Sequence, residues 1–318
     1  MSRLVANISV LAFFIATPAL SAEIVKSDDF GDLRGTYPSD WDMSDNGDPL
    51  DFEFGARYYY SIGSSKMTVN GGNYASEDKS QILELYGRID DNSTSTYLKA
   101  WGGYSALIDG TYSTPATGGD VTMSGGRVAY VGADFGYTPF GNADVQMGGF
   151  VGYQYYSDNP DMGRVNFVTS AGGGDSETNA LEIHELRLGA ALNADLGDKI
   201  DLSLQAAVIP YASVSGAYGA FALPNFVDGG TIYEQGSVGT LAGSLYGASA
   251  EAMLGFNVTD DLTIRIGGRV HYLTGNDASM EYAAREVGSP ANEQLYTSTI
   301  SGLEFLRYGA LLELTGKF

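Results

Sequence analysis

The chain has 318 residues, no cysteine and a formal net charge of −22. That excludes a disulfide framework, a cysteine metal site and a thiolate nucleophile, and it makes nucleic acid an unsuitable partner. The 43 glycines, 22 tyrosines and 14 phenylalanines, with mean hydropathy near zero, suit a strand-built barrel with aromatic girdles better than a soluble globular domain.

The N-terminus carries one base, Arg3, then an apolar run over residues 4–15, then Pro18 and Ala19-Leu20-Ser21-Ala22. This reads as a secretory signal peptide over residues 1–22, cleaved after Ala22. The run is shorter than the ~20 residues that a spanning helix needs. Later apolar stretches are all interrupted by glycine, tyrosine or charge, so any passage through a membrane must use strands. Residues 23–49 are acidic and broken by Gly31, Gly35, Pro38, Gly47 and Pro49, and they read as a periplasmic leader. Asp40, Asp42, Asp45 and Asp48 surround Asn46-Gly47, but no Glu closes a calcium register. No metal and no cofactor are expected.

At Leu50 a strict alternation begins. Leu50, Phe52, Phe54, Ala56, Tyr58 and Tyr60 share one face, and Asp51, Glu53, Gly55, Arg57, Tyr59 and Ser61 share the other. One face suits lipid and the other a polar lumen. The pattern recurs at 80–90, 95–108, 125–138, 143–157, 181–195, 200–215, 241–258, 261–275 and 297–318. Connections alternate in length, with short turns at 90–94, 138–142, 196–199 and 259–260. Long loops are expected at 62–79, 109–124, 158–180, 216–240 and 276–296. An even strand number with short turns on one rim predicts an all-β, ten-stranded antiparallel transmembrane β-barrel over residues 50–318. It has short periplasmic turns, five long extracellular loops and a place in the outer membrane of a Gram-negative bacterium. A soluble barrel or sandwich would instead turn its charges to water and bury its apolar face.

Parity sends a set of charges inward: Glu53 and Arg57 on the first strand, Glu84 and Arg88 on the second, Glu185 and Arg187 on the sixth. Glu251 follows on the eighth, Arg265 and Arg269 on the ninth, and Arg307 and Glu313 on the tenth. A ten-stranded barrel is little wider than those that side chains fill, so the expectation is an ion-paired plug. The alternative is a narrow charged conduit or a buried proton-handling site. The run Ala171-Gly172-Gly173-Gly174-Asp175 has no following helix and is a loop tip, not a phosphate cradle.

Ten strands, this length, and Val145-Gln146-Met147-Gly148-Gly149-Phe150-Val151-Gly152-Tyr153-Gln154 on the fifth strand resemble the omptins, a family of outer-membrane proteases. Residues 304–318 are also similar, ending in Phe318, which resembles the terminal aromatic that barrel-assembly machinery recognises. The resemblance implies an Asp-x-Asp pair in the second loop facing an Asp-x-His pair in the fourth, around an activated water. Here the second loop offers only Asp109 and Asp120, and the fourth offers Asp228 and Glu234 without histidine. No catalytic residues are carried over, and no enzyme activity is expected. The two histidines lie elsewhere, His184 beside Glu182 and Glu185, and His271 inward near Arg269.

The same resemblance implies a lipopolysaccharide contact on the outer wall, at a Tyr, an acid and an Arg in alternate positions. The matching positions are Tyr153, Tyr155 and Ser157, with Arg127 on the adjacent strand supplying charge. Three functions follow as expectations: a non-enzymatic surface barrel with a structural or interaction role, a divergent omptin-like protease, or a narrow small-solute channel. The partners expected are membrane lipid, lipopolysaccharide and the assembly machinery. The sequence names no extracellular partner.

Overall fold

The structure is a computed structural model that describes residues 50–122, 125–142, 144–161, 166–169, 172–175, 179–197 and 199–318. The expected signal peptide (1–22) and acidic leader (23–49), with its Asp-rich stretch, lie outside the described residues.

In chain order the strands are β1 (Leu50–Val69), β2 (Gly72–Asp91), β3 (Thr96–Ser113), β4 (Val121–Thr122), β5 (Gly125–Gly141), β6 (Val145–Asp161), β7 (Asn166–Thr169) and β8 (Gly172–Asp175). They continue as β9 (Ala180–Asp195), β10 (Ile200–Tyr218), β11 (Phe226–Asp228), β12 (Thr231–Gln235), β13 (Gly239–Asn257), β14 (Leu262–Glu286) and β15 (Ser289–Lys317). Ten of them form an antiparallel ring in the order β1-β2-β3-β5-β6-β9-β10-β13-β14-β15. The ring closes by pairing β15 with β1, from Glu53↔Lys317 to Val69↔Ile300. Beyond that ladder, Phe52 and Phe318 exchange backbone hydrogen bonds of 3.1 and 2.9 Å. Closure leaves no sheet edge within the apolar belt, as a strand-built span in lipid requires.

Side chains alternate as the pleat dictates. Toward the end where β1 begins and β15 finishes, the periplasmic end in the expected orientation, the outer wall carries Phe52, Phe54, Phe135, Phe140 and Phe256. Toward the opposite rim it carries Tyr60, Tyr104, Tyr153, Tyr211, Tyr246, Tyr272 and Tyr308, all exposed. Aromatic rings whose hydroxyls reach water belong at such an interface.

Above the tyrosine rim the polarity of the two faces inverts. On β2 the outer face changes from Leu83, Leu85 and Ile89 to Lys79 and Glu77, both exposed. On β1 the inner face ends in Met67 and Val69, both buried. The expected loops at 62–79 and 276–296 are therefore corrected: β1 and β2 run on to a two-residue turn at Asn70-Gly71, and β14 and β15 to one at Val287-Gly288. Asn70 (φ 51°) and Gly71 (φ 77°) both take the left-handed conformation that a tight hairpin needs. The alternation persists through these segments, but outside lipid its apolar face points inward.

The inverted segment builds an apolar cap over the lumen. Residues 219–223 turn into the barrel mouth, placing Phe221 at 0 % exposure against Tyr74 (rings 5.5 Å apart) and Tyr282 (5.2 Å). Leu241, Met280 and Ile300 complete this core. Side-chain bonds hold the turn: Asn179 Oδ1 accepts from the Gly219 N–H at 2.6 Å, and Gln235 Nε2 donates to the Phe221 carbonyl at 2.9 Å. Tyr74 donates to the Ala222 carbonyl at 3.3 Å.

Below the cap, inward glycines receive aromatic rings from paired strands. A Cβ at Gly55, Gly103, Gly132 or Gly136 would fall inside the ring of Tyr86, Tyr130, Trp101 or Tyr97 respectively. Each is a direct cross-strand pair, so part of the glycine content makes room for luminal aromatics.

Two outcomes are expected. Gly136→Val displaces Tyr97 and lowers stability by about 1–3 kcal/mol, read from urea unfolding in detergent. Burial pushes the Tyr74 phenol up to about 12. Its folded value lies above the ordinary one near 10, so its contribution is complete below about pH 10 and is lost as pH rises through about 12. Phenolate absorbance should show one fewer late-titrating tyrosine in Tyr74→Phe than in the wild type.

Candidate functional site

Inside the tyrosine-to-phenylalanine belt the lumen is crossed by ion pairs. Arg57 is bound by Glu84 (2.9 Å) and Glu313, and lies 3.4 Å from Glu251. Arg269 donates to Glu84 (2.8 Å) and Glu251 (2.7 Å). Arg265 joins Glu53 (2.7 Å), Asp201 (2.8 Å) and Glu313 (2.9 Å). The Tyr86 hydroxyl lies against Glu53 and Glu313, and Tyr130 donates to Glu84 at 2.6 Å. Lys99 on β3 reaches Glu251 on β13, diametrically opposite in the ring, at 3.6 Å.

Other charges form separate groups. Arg187 pairs with Asp134 at 3.2 Å and lies over Trp101. Arg88 departs from the expected plug: it folds back on Asp90 two residues away (2.6 Å) and stacks on Tyr97 at the periplasmic end. Glu185 contacts His271 Nε2 at 2.9 Å instead of an arginine. Near the cap, Arg307 bridges Asp78 (2.9 Å) and Asp158 (3.3 Å). Sequence reasoning missed these two acids because their segments read as loops. The signal was available: Asp78 continues the even parity of Glu84, Tyr86 and Arg88.

Two cavities flank the network. One, of about 410 Å³, lies at the periplasmic end and is lined by Asp51, Asp90, Asp144, Asp195, Asp261 and Lys317 at its rim, with Arg265 and Lys99 deeper. The other, of about 50 Å³, lies under the cap between Tyr59, Tyr130, Tyr156, Gln154 and His271. Lys99 lines both.

On the outer wall, the Tyr153 hydroxyl hydrogen-bonds His184 Nδ1 at 2.6 Å, and the Tyr155 and His184 rings lie 5.1 Å apart. Glu182 stands on the same face, opposite Ser157. Arg127 is exposed on β5, four residues from Val131, which pairs with Tyr155. Aromatic, acidic and basic groups thus meet at the tyrosine rim.

Among the described hydrogen bonds and ion pairs, none joins a loop acid to a histidine. Asp109 and Asp120 are exposed, Asp228 accepts from Tyr296 at 3.1 Å, and Glu234 is buried. Among the described hydrogen bonds, His184 uses Tyr153 and His271 uses Glu185. Among the described residues no cluster of three acids or histidines could hold a metal ion.

No protein-family profile matches the sequence, and no curated protein matches it. Solved structures do match in fold. The outer membrane protease OmpT from Escherichia coli superposes with a TM-score of 0.52 at 10 % identity, covering 85 % of this chain and 97 % of that one. The translocator domain of the autotransporter NalP from Neisseria meningitidis scores 0.36 at 13 % identity, covering 86 % and 90 %. With its closed ten-strand ring and the OmpT superposition, the chain has the fold of an outer-membrane β-barrel and resembles an omptin in architecture.

Removing Glu84 takes one of the acids from each of two buried arginines, Arg57 and Arg269, and leaves the interior short of one negative charge. Glu84→Gln should cost roughly 3–5 kcal/mol in urea unfolding. Glu293→Gln, which breaks the exposed 3.0 Å pair with Arg285, should cost at most about 0.5 kcal/mol.

Proposed function

We propose that this chain is an outer-membrane β-barrel of a Gram-negative bacterium with a non-enzymatic, structural or interaction role at the cell surface. Residues 1–22 serve as its export signal and 23–49 as a periplasmic leader. The observation that carries the reading is the state of the barrel mouth. A water-activating site there needs a histidine and facing carboxylates around open solvent. The mouth instead holds the apolar core of Tyr74, Phe221, Leu241, Met280 and Ile300. The same core, stacked on paired charges, favours a closed barrel over a small-solute channel.

The outer wall supports a lipid contact. Tyr153 and Tyr155 present aromatic faces at the rim and Arg127 a guanidinium suited to a phosphate, so lipopolysaccharide is the partner proposed there. At the opposite rim Phe318, exposed beside the β1–β15 seam, is the group proposed to meet the assembly machinery.

Folded protein purified in detergent should cleave no peptide from a mixed-sequence library. Cleavage abolished by His184→Ala or His271→Ala would establish the protease reading instead. In planar bilayers it should give no stepwise conductance, and steady unitary currents would establish the channel. Arg127→Ala should weaken lipopolysaccharide binding several-fold, measured by co-migration of labelled lipid with the folded barrel.

A further inference from the structure

The small cavity under the cap leaves two deeply buried polar atoms without a partner. The hydroxyls of Tyr59 and Tyr156, which line it, make no hydrogen bond. Behind the lining His271, Glu185 is bonded to that ring through Oε2 while its Oε1 makes no hydrogen bond. A buried polar group left unpaired is costly, so two on one cavity call for water. A volume of about 50 Å³ admits a few waters, each needing roughly 10–15 Å³ of such space, and nothing much larger. The lining also supplies the two to four polar contacts that each water needs, from Gln154, Gln205, Ser249 and Lys99.

Among the described residues, the route to this cavity lies on one side. Above it lies the apolar cap, with Phe221 and Leu241 fully buried. Below it, only the Lys99 side chain is shared with the open periplasmic cavity, its ammonium held by Gln205 at 3.0 Å. Lys99 is thus the side chain that separates the two cavities.

We propose that this cavity holds an ordered water cluster, fed from the periplasmic side past Lys99, that makes Glu185 and His271 a proton-binding site open to the periplasm alone. Glu185 as a carboxylate requires His271 Nε2 to be the donor, leaving Nδ1 as the basic atom. A hydronium proton relayed through the cluster binds Nδ1, giving an imidazolium paired with the Glu185 carboxylate and releasing water. The groups facing His271 are Glu185 from β9, Tyr156 and Asp158 from β6, Arg307 and Ser249 as its register partners on β15 and β13, and Arg269 on its own strand. Arg307 is held by Asp78 and Asp158, and Arg269 by Glu84 and Glu251, so both cations beside His271 are matched by carboxylates, and Glu185 is the acid bonded to its ring.

The inference rests on the barrel spanning the membrane as proposed above, and the two histidines allow a test that separates them. Full chain labelled at histidine is inserted into phospholipid vesicles in one orientation, with inside and outside pH set independently, and His184→Gln assigns the signals by NMR. The His271 ring should titrate with the pH of the compartment at the rim that carries Phe52 and Phe318, while His184 follows the opposite compartment. Water magnetisation should reach the His271 and Tyr156 rings, and the Tyr59→Phe/Tyr156→Phe double variant should lose most of that transfer. A His271 signal that follows the His184 compartment, fails to titrate between pH 4 and 9, or receives no water magnetisation overturns the inference alone. A chain that does not insert, or shows both histidines on one side, overturns the membrane reading as well.

Discussion

Glu84 and Glu313 are almost completely excluded from solvent, and the fold is arranged around that constraint. Ionised carboxylates in so confined a space must be met by cations with good geometry, because desolvation of each costs several kcal/mol. Arg57 and Arg269 meet Glu84 from opposite sides, while Arg57 and Arg265 share Glu313. Each of these three arginines serves two or more acids, so with Asp201 and Lys99 they form one connected network joining β1, β2, β3, β10, β13, β14 and β15. The aromatic hydroxyls of Tyr86 and Tyr130 take up lone pairs that the guanidinium groups leave open.

A consequence of that network is that the barrel needs no apolar core where it crosses lipid, but it does need one above. Outside lipid the outer wall must be polar, so the apolar half of each alternating strand turns inward. There it packs as the cap of Tyr74, Phe221, Leu241 and Met280. The molecule is thus two stacked solutions of one pleat. The change of sign lies at the tyrosine rim, where His184, Tyr153 and Tyr155 also gather.

Much of this was legible in the residues. The alternation from Leu50 to Ser61 sorts side chains between two faces without knowledge of neighbours, since the period of 2 is a property of extended backbone. Short turns at one rim follow from the spacing of the alternating blocks. The long hairpins were not legible as strands, because the cue was an apolar outer face and that cue ends at the tyrosine rim. Asn70-Gly71 was the local sign that strand pairing continues to a tight turn. Asp78 and Asp158 were missed for the same reason.

Sequence by itself determined the strand number, the direction of each side chain in the belt and the absence of an omptin-type acid and histidine set in the second and fourth loops. These depend on local periodicity and residue type. Only the tertiary structure decided which charges meet, that Arg88 turns to Asp90 while Lys99 spans the lumen to Glu251, and that His271 and Glu185 share a bond. Those pairings depend on the stagger with which ten strands close, a property of the whole ring that no single segment encodes.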